Sequence, residues 1–484
     1  MGNLIGEKRE EPHGATPTTK GAGSPRPGLV PESSSPLTAK ETDSLRHQWE
    51  TWVGEEVLHQ GGVAEEVLKA HFNIPFLAAA LVEPASSFAS WQRFAAVNVR
   101  PVNSRKNVEM LWDLICRAGK KRPWEGGRSD LFVYATIVCN CCSCCGGSSS
   151  GHGGNSSLSA AVDEAVVLRM VHFILGKCSL EGRGGDGALT SALLQNFVNE
   201  FAPQTSLALT SYFVGIFFPF DKSPTFVPFE SPFLVEPSSI ITSAELIPFA
   251  LFSSAMQGSF RRMYSSSTDG YAFEHVLQAI TGYSGPTLFL IKVRIPKQSV
   301  SKEVVVFGAA IFSKWLESSN KWYGTSSNFL FGLSPFLCLC RSQGNESNYQ
   351  WCTTKTSSKA QHGIAFGGSS DLRSKRIFVP ASLEDCVATS GGADLTYEPG
   401  VLVPPHGLRD VAGNVFDIDT IEIYAIGGAA AIKDGMKART ENRSLANDTK
   451  EKARKVDKAA FLGHLQAFGE TTFEHRAQQQ GRGE

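Results

Sequence analysis

The chain reads as an α+β protein: an all-helical N-terminal half, then a β-sandwich with flanking helices, then a C-terminal helix. Three observations predict this. Apolar residues recur every three or four positions up to about residue 201, short apolar runs bounded by Gly, Ser and Asn take over after about residue 239, and a Pro-rich stretch lies between.

A length of 484 residues with 42% hydrophobic content is too much for one compact core and suits two folded units with tails. Residues 1–45 are rich in Pro, Gly, Ser, Thr and charge, with too few apolar groups to offset the entropy of ordering, and are expected to form a disordered arm. A helical domain is expected over 46–235. Its first helix carries Trp49, Trp52, Val53, Val57 and Leu58 at helical spacing, and Phe88, Trp91, Phe94 and Ala95 repeat the pattern. Asn107–Arg117 is a further helix, with Val108, Leu111, Trp112, Leu114 and Ile115 on one face and Ser104 as its cap. A Cys/Gly/Ser-rich insertion at 139–157 is expected to loop out, and Leu158–Leu175 and Leu189–Phe201 return to helical periodicity. Pro219, Pro224, Pro228, Pro232 and Pro237 forbid a continuous helix in the connection Phe218–Pro237.

Over 239–428 the runs Thr287–Val293, Val304–Phe312, Phe329–Leu333, Leu337–Cys340, Tyr349–Cys352, Ile364–Phe366 and Ile418–Ile426 predict antiparallel strands. Helices are expected there only at Thr242–Ser253 and Tyr271–Thr281. The charged tail 429–484 contains a short helix at 457–469, where Phe461, Leu465 and Phe468 make one apolar edge. So short a helix is marginal alone in water, so this edge needs a partner to dock on.

Charge and motifs exclude several functions. A formal net charge of −1 with no basic stripe points away from nucleic acid. No apolar segment follows Met1, and the most apolar run, Leu207–Phe220, is too short and broken for ~30 Å of hydrocarbon. A soluble intracellular protein is expected, with its 11 cysteines mostly reduced and the sequons at Asn345, Asn442 and Asn447 without meaning. Neither a P-loop, nor a nucleophile elbow, nor a His-Glu-x-x-His pair, nor a dinucleotide fingerprint occurs, so no enzyme activity and no cofactor is expected.

Some residues still need weighing. Met1-Gly2 would expose a glycine for N-myristoylation; Gly2 is either lipidated, giving reversible membrane attachment, or an unmodified start. Cys139, Cys142 and Cys145 include half the spacing of a zinc site without its second half, so an exposed low-complexity loop is favoured over metal. Cys338 and Cys340 alternate on a strand and are expected to pack on one face. His275 and His362 are read as structural or surface groups. Asp269 and Glu422 are the best acids to test, their plain readings being a turn cap and a cross-strand partner. The alternative to a binding protein is a redox enzyme using Cys352 or Cys386, which would need an exposed thiol of lowered pKa.

One ordered set of motifs is specific. It runs Met263-Tyr264-Ser265-Ser266-Ser267-Thr268-Asp269-Gly270, Phe307-Gly308-Ala309, Trp315, Trp322-Tyr323-Gly324, Phe329-Leu330-Phe331, Asn348-Tyr349-Gln350-Trp351, Phe366-Gly367-Gly368 and Ile421-Glu422-Ile423-Tyr424-Ala425-Ile426. This series resembles the TLDc domain family. The family's closing Glu-Val-Trp reads Glu422-Ile423-Tyr424 here, and its Gly-Leu-Trp and Cys-Thr-Phe/Tyr-Asn segments are replaced around Ile377–Pro380 and Leu395–Glu398. The resemblance implies a β-sandwich in which Ser266, Asp269, Gly270, Phe307, Gly308, Trp315, Tyr323, Gly324, Phe331, Tyr349, Gly367, Gly368 and Glu422 specify the fold. It also implies a link to oxidative-stress resistance and binding of the vacuolar proton-pumping ATPase (V-ATPase). The whole arrangement is similar to myristoylated, mTOR-associated TLDc proteins of the lysosomal surface, which implies a peripheral endomembrane location and TOR-linked signalling. The degenerate EF-hand-like helical domain such relatives carry has no Asp-x-Asp-x-Asp-Gly loop here, so no calcium binding is expected.

Overall fold

The computed structural model describes residues 37–57, 87–98, 129–145, 162–177, 190–218 and 227–444, plus scattered positions between 68 and 115. Within the last range it excepts 298, 300, 318–320, 355–361, 369–374, 393, 410–413 and 442–443. It has N-terminal helices, an antiparallel β-region and a final helix.

The helical half begins earlier than expected. Helix α1 spans Ala39–Val57, so residues 39–45 are ordered rather than part of the arm. The cause is a reciprocal capping box that composition conceals: Thr38 N donates to Glu41 Oε2 at 2.6 Å, and Glu41 N donates to Thr38 Oγ1 at 3.2 Å. Helix α2, Phe88–Asn98, places Trp91 in contact with Trp49 and Trp52, at centroid distances of 6.0 and 5.8 Å. Of the segment 107–117, positions 109, 111–113 and 115 are described and are helical.

The insertion at 139–157 does not loop out where it is described. Cys139–Cys144 form the end of α3, Ser129–Cys144, which packs against α4, Glu164–Lys177, and α6, Thr205–Phe217. The helix is apolar on all sides, and a helix of that kind is stable only when surrounded. Cysteine here serves as a small apolar residue. Between α4 and α6 lies α5, Ser191–Phe201, with Thr190 capping Leu193 N at 3.3 Å.

The connection 218–237 is more than a tether. Phe229 is buried in the main core, and β1, Phe233–Leu234, pairs in parallel with β2, Ser259–Ser265. Helix α7, Ile247–Phe252, then lies over the sheet, its Phe249 ring 4.7 Å from that of Phe331. Helix α8, Phe273–Ile280, follows the Ser-rich turn.

The remaining strands are β3 (Thr287–Arg294), β4 (Val306–Ile311), β5 (Phe329–Ser334), β6 (Cys338–Cys340), β7 (Trp351–Thr353), β8 (Gly363–Gly368), β9 (Lys375–Pro380), β10 (Cys386–Ala388) and β11 (Val415–Ala425). The hydrogen-bonded order is β6-β5-β4-β3-β11-β10-β9-β8-β7, with β2 beside β11. The long β11 joins two layers: its start pairs with β10, its end with β2, and β3 follows it along most of its length. Between the layers lies one core, in which Phe289 of β3 meets Phe366 of β8 at 5.7 Å and Phe307 of β4 meets Phe416 of β11 at 5.2 Å.

The outer face of the β3–β5 layer carries Leu288, Leu290, Phe329 and Phe331, and these share a single core with the N-terminal helices. Ion pairs cross the same boundary, Arg169 with Glu245 and Arg341 with Glu200, both at 2.8 Å. A final helix, α9 over 428–441, sets Ile432 against Tyr283 and Ala425.

Candidate functional site

Glu422 sits in the middle of the sheet, where a carboxylate has to be compensated because an unpaired buried charge is costly. It is fully buried and is hydrogen-bonded by three chain segments. From the loop that continues the connection past Pro237, Ser239 N and Ser239 Oγ donate to Oε1 at 3.1 and 2.8 Å, and Ser238 Oγ donates to Oε2. From its own strand, Tyr424 OH donates to Oε2 at 2.9 Å, because residues i and i+2 share a face. Burial pushes the Tyr424 phenol up, which keeps it a donor. From β2, Ser265 Oγ lies 3.5 Å from Oε1.

Ser238 also accepts from Ile240 N and Ile241 N at 3.0 and 3.1 Å, so the loop that leads into α7 is anchored at the acid. The lone pairs of Glu422 are spent on holding segments together. Its plain reading as a cross-strand partner was too narrow; the loop after the connection provides most of its donors.

The Ser-rich turn completes this node. Ser265 pairs with Glu422 across the β2–β11 ladder. Ser266 Oγ accepts from Ile421 N at 3.0 Å, Asp269 Oδ2 accepts from Ser265 N at 2.8 Å, and Gly270 O accepts from Tyr264 OH at 2.8 Å. Asp269, the last residue of the single helical turn Ser266–Asp269, thus reaches back to the N–H of Ser265, the residue before that turn. His275 is exposed on α8, and Gly270 leaves it room: a Cβ there would fall 2.9 Å from His275 Nδ1.

A second polar group lies in the other layer. Asn348 Nδ2 donates to Gly368 O at 2.9 Å, Gly368 N to Asp394 Oδ1 at 3.1 Å, Gly367 N to Asn348 O at 3.1 Å, and Tyr397 OH to Tyr349 O at 2.9 Å. Gly324 packs against Tyr349, and Tyr323 OH donates to Leu316 O at 2.6 Å. Trp315 Nε1 donates to Thr287 Oγ1 at 2.8 Å, and Phe307 and Phe331 are buried in the two cores. At Gly308 the strands approach so closely that a Cβ would lie 1.9 Å from Phe289 O. The structure thus gathers Ser266, Asp269, Gly270 and Glu422 into one node and leaves the other motif residues distributed through the sandwich.

The cysteine candidates fall elsewhere. Cys139 and Cys142 are fully buried on α3, and Cys145 follows it, its Sγ donating to Cys141 O at 3.1 Å. Burial pushes the Cys139 thiol up to about 12 and raises that of Cys142 well above its ordinary value, so both stay protonated as core thiols. Among the described residues no group of three His, Cys, Asp or Glu could hold a metal ion. Cys352 and Cys386 are buried in the sandwich core, and burial, with Glu317 beside the first and Asp417 beside the second, pushes each up to about 12. Gly2, Phe461, Leu465 and Phe468 lie outside the described residues.

Sequence reading missed Ser238 and Ser239, which look like ordinary linker residues, and Arg376, fully buried on β9. The tandem serine after Pro237 was the available signal for the first pair. For Arg376 there was none, since Lys375-Arg376 at a strand start resembles a solvated edge.

Residues 234–427 match the TLDc domain. The chain is similar to the protein named restriction of telomere capping protein 5 from Pyricularia oryzae, at 23% identity over 241 residues, covering 41% of this chain and 38% of that relative. The match therefore spans well under half the length of either protein. Among the described residues no helix is long and apolar enough to cross a membrane.

Proposed function

Because residues 234–427 are a TLDc domain, we propose that the protein is a non-catalytic interaction module acting at the surface of endomembranes. It binds the V-ATPase there and contributes to oxidative-stress resistance or TOR-linked signalling, the roles that the resemblance implies. One observation carries the non-catalytic part: the acids and hydroxyls of the motif series are engaged with backbone and with each other around Glu422. Groups held this way build a rigid scaffold and have few lone pairs or protons left for a substrate. The redox-enzyme alternative at Cys352 or Cys386 is disfavoured by the depth of both thiols.

Lipid attachment through Gly2 and docking through Phe461, Leu465 and Phe468 are the secondary contacts of this reading, since two weak attachments combine into one useful affinity. Affinity purification of the full chain from cells tests it, with and without Gly2→Ala. The expected result is co-purifying proton-pump subunits, with the variant shifted out of the membrane fraction. Absence of pump subunits from both preparations, or catalytic peroxide consumption by the purified protein, would overturn the reading.

A further inference from the structure

Directly paired residues of a ladder share a face, so Trp351 of β7, Ala365 of β8 and Phe378 of β9 form one row across the second layer. The row lies on the side away from the sandwich core, which takes the alternate residues Cys352, Ile364, Phe366, Ile377 and Val379. Lys375, the first residue of β9, reaches over this row. Its Nζ stands 3.4 Å from the centre of the Phe378 ring and 4.6 Å from that of Trp351.

The two rings are the whole of what holds the ammonium among the described residues. No carboxylate there is ion-paired with Lys375. A ring face offers a cation only its quadrupole, whereas water or a carboxylate also accepts its protons, so an amine desolvated by rings alone is poorly compensated as an ammonium. Lys177 supplies the contrast within the same molecule. Its Nζ stands 4.8 Å from the centre of the Phe201 ring and 5.9 Å from that of Phe173, but Glu398 lies 3.9 Å away as a counter-charge. Lys375 is nevertheless not sealed off. The residue is partly exposed, and Nζ is not one of the buried polar atoms left without a partner, so it keeps a side open to solvent. Burial brings the Lys375 amine down to about 8. Roughly one molecule in ten then carries the neutral amine at pH 7, against about one in a few thousand for an ordinary lysine.

We propose that Lys375 is an acylation site, a lysine amine that takes the acyl group of an acyl thioester without the help of an enzyme. Attack on a thioester needs the nitrogen lone pair, which an ammonium lacks, and desolvation is one of the ways a protein frees it. The Lys375 nitrogen attacks the carbonyl carbon, the carbon–sulfur bond breaks, and the proton leaving the nitrogen goes to the departing thiolate. One amine and one thioester give one amide and one thiol, and nothing is oxidised or reduced. The amide is neutral, so the modification removes a positive charge from the outer face of the second layer and ends its attraction to both rings. The site stands apart from the partner reading above.

The test incubates the full-length protein with acetyl-CoA alone at a series of pH values, then acetylates the remaining amines in urea with a deuterated reagent and digests with chymotrypsin. Cleavage after Phe366 and Phe378 gives residues 367–378, in which Lys375 is the one lysine, and the ratio of light to heavy acetyl in mass spectra is its occupancy. Near neutral pH, Lys375 is expected to react roughly tenfold faster than Lys177. Its rate is expected to level off above about pH 8, where that of an ordinary lysine is still climbing. In urea the two lysines are expected to react alike. Phe378→Glu, which sets a carboxylate beside the amine, is expected to bring Lys375 down to the rate of Lys177, with folding checked by circular dichroism. The proposal is overturned if Lys375 of the folded wild-type chain reacts no faster than Lys177, or if its advantage persists in urea. A folded Phe378→Glu variant that reacts at the wild-type rate also overturns it.

Discussion

Replacing Glu422 by Gln keeps the shape of the side chain but turns one acceptor oxygen into a donor amide, which cannot accept from both Ser238 and Tyr424. Buried donors left unsatisfied cost about 1–3 kcal/mol each, so Glu422→Gln is expected to lower stability by at least that much. The urea midpoint of the purified protein measures it, and an unchanged midpoint would contradict the role given to this acid. Gly308→Ala tests packing rather than charge. Its Cβ meets a backbone carbonyl, which cannot rotate away as a side chain could, so strands β3 and β4 have to separate. A loss above the roughly 1–3 kcal/mol usual for overpacking is expected, together with reduced soluble yield. At this scale the sequence disclosed which motif positions were special, but not the reason for each. Glu422 was legible as an acid on a final strand, whereas Ser238 and Ser239 lie more than 180 residues before it and come into view only when the connection folds back.

Helix α3 shows where composition misleads. Its Cys-rich end reads as low complexity, yet the helix is surrounded by α4 and α6, and its thiols remain protonated for that reason. Burial raises Cys139 from 9.0 to about 12 in the folded state. A group with a raised folded pKa contributes its full stability below the unfolded value and loses it as pH climbs through the folded value. The helical half is therefore expected to lose stability from about pH 9 towards pH 12, and Cys139→Ala to flatten that loss. Thermal melts followed by circular dichroism across this range check the sign; stability that rises with alkalinity would refute it. The strands were easier to foresee. Runs such as Thr287–Val293 and Val304–Phe312 map onto β3 and β4 within two residues, because alternation and β-branched content act locally. Strands β2, β9 and β10 were missed because charge or brevity hides their period, as in Arg261-Arg262 of β2.

Across the whole molecule, the expected pair of units joined by a proline tether gives way to one continuous core in which the helices cover the outer face of the β3–β5 layer. A fragment limited to 234–427 would leave Leu288, Leu290, Phe329 and Phe331 shielded by little beyond α7. An uncovered apolar face of that kind marks an aggregation-prone surface. The fragment is expected to bind an apolar dye such as ANS strongly and to self-associate in analytical ultracentrifugation, while the full chain does neither. A monomeric fragment with no dye binding would show that the helices contribute little to covering the sheet. By itself the sequence determined the α+β class, most strands of the sandwich and the TLDc motif series, because periodicity and turn chemistry depend on near neighbours. Only the tertiary structure decided that the Cys-rich segment is a core helix, that Glu422 is held from the loop after the connection, and that Arg376 stands buried beside Cys340. Each of these depends on residues far apart in the chain sharing one desolvated space, and no local pattern records that.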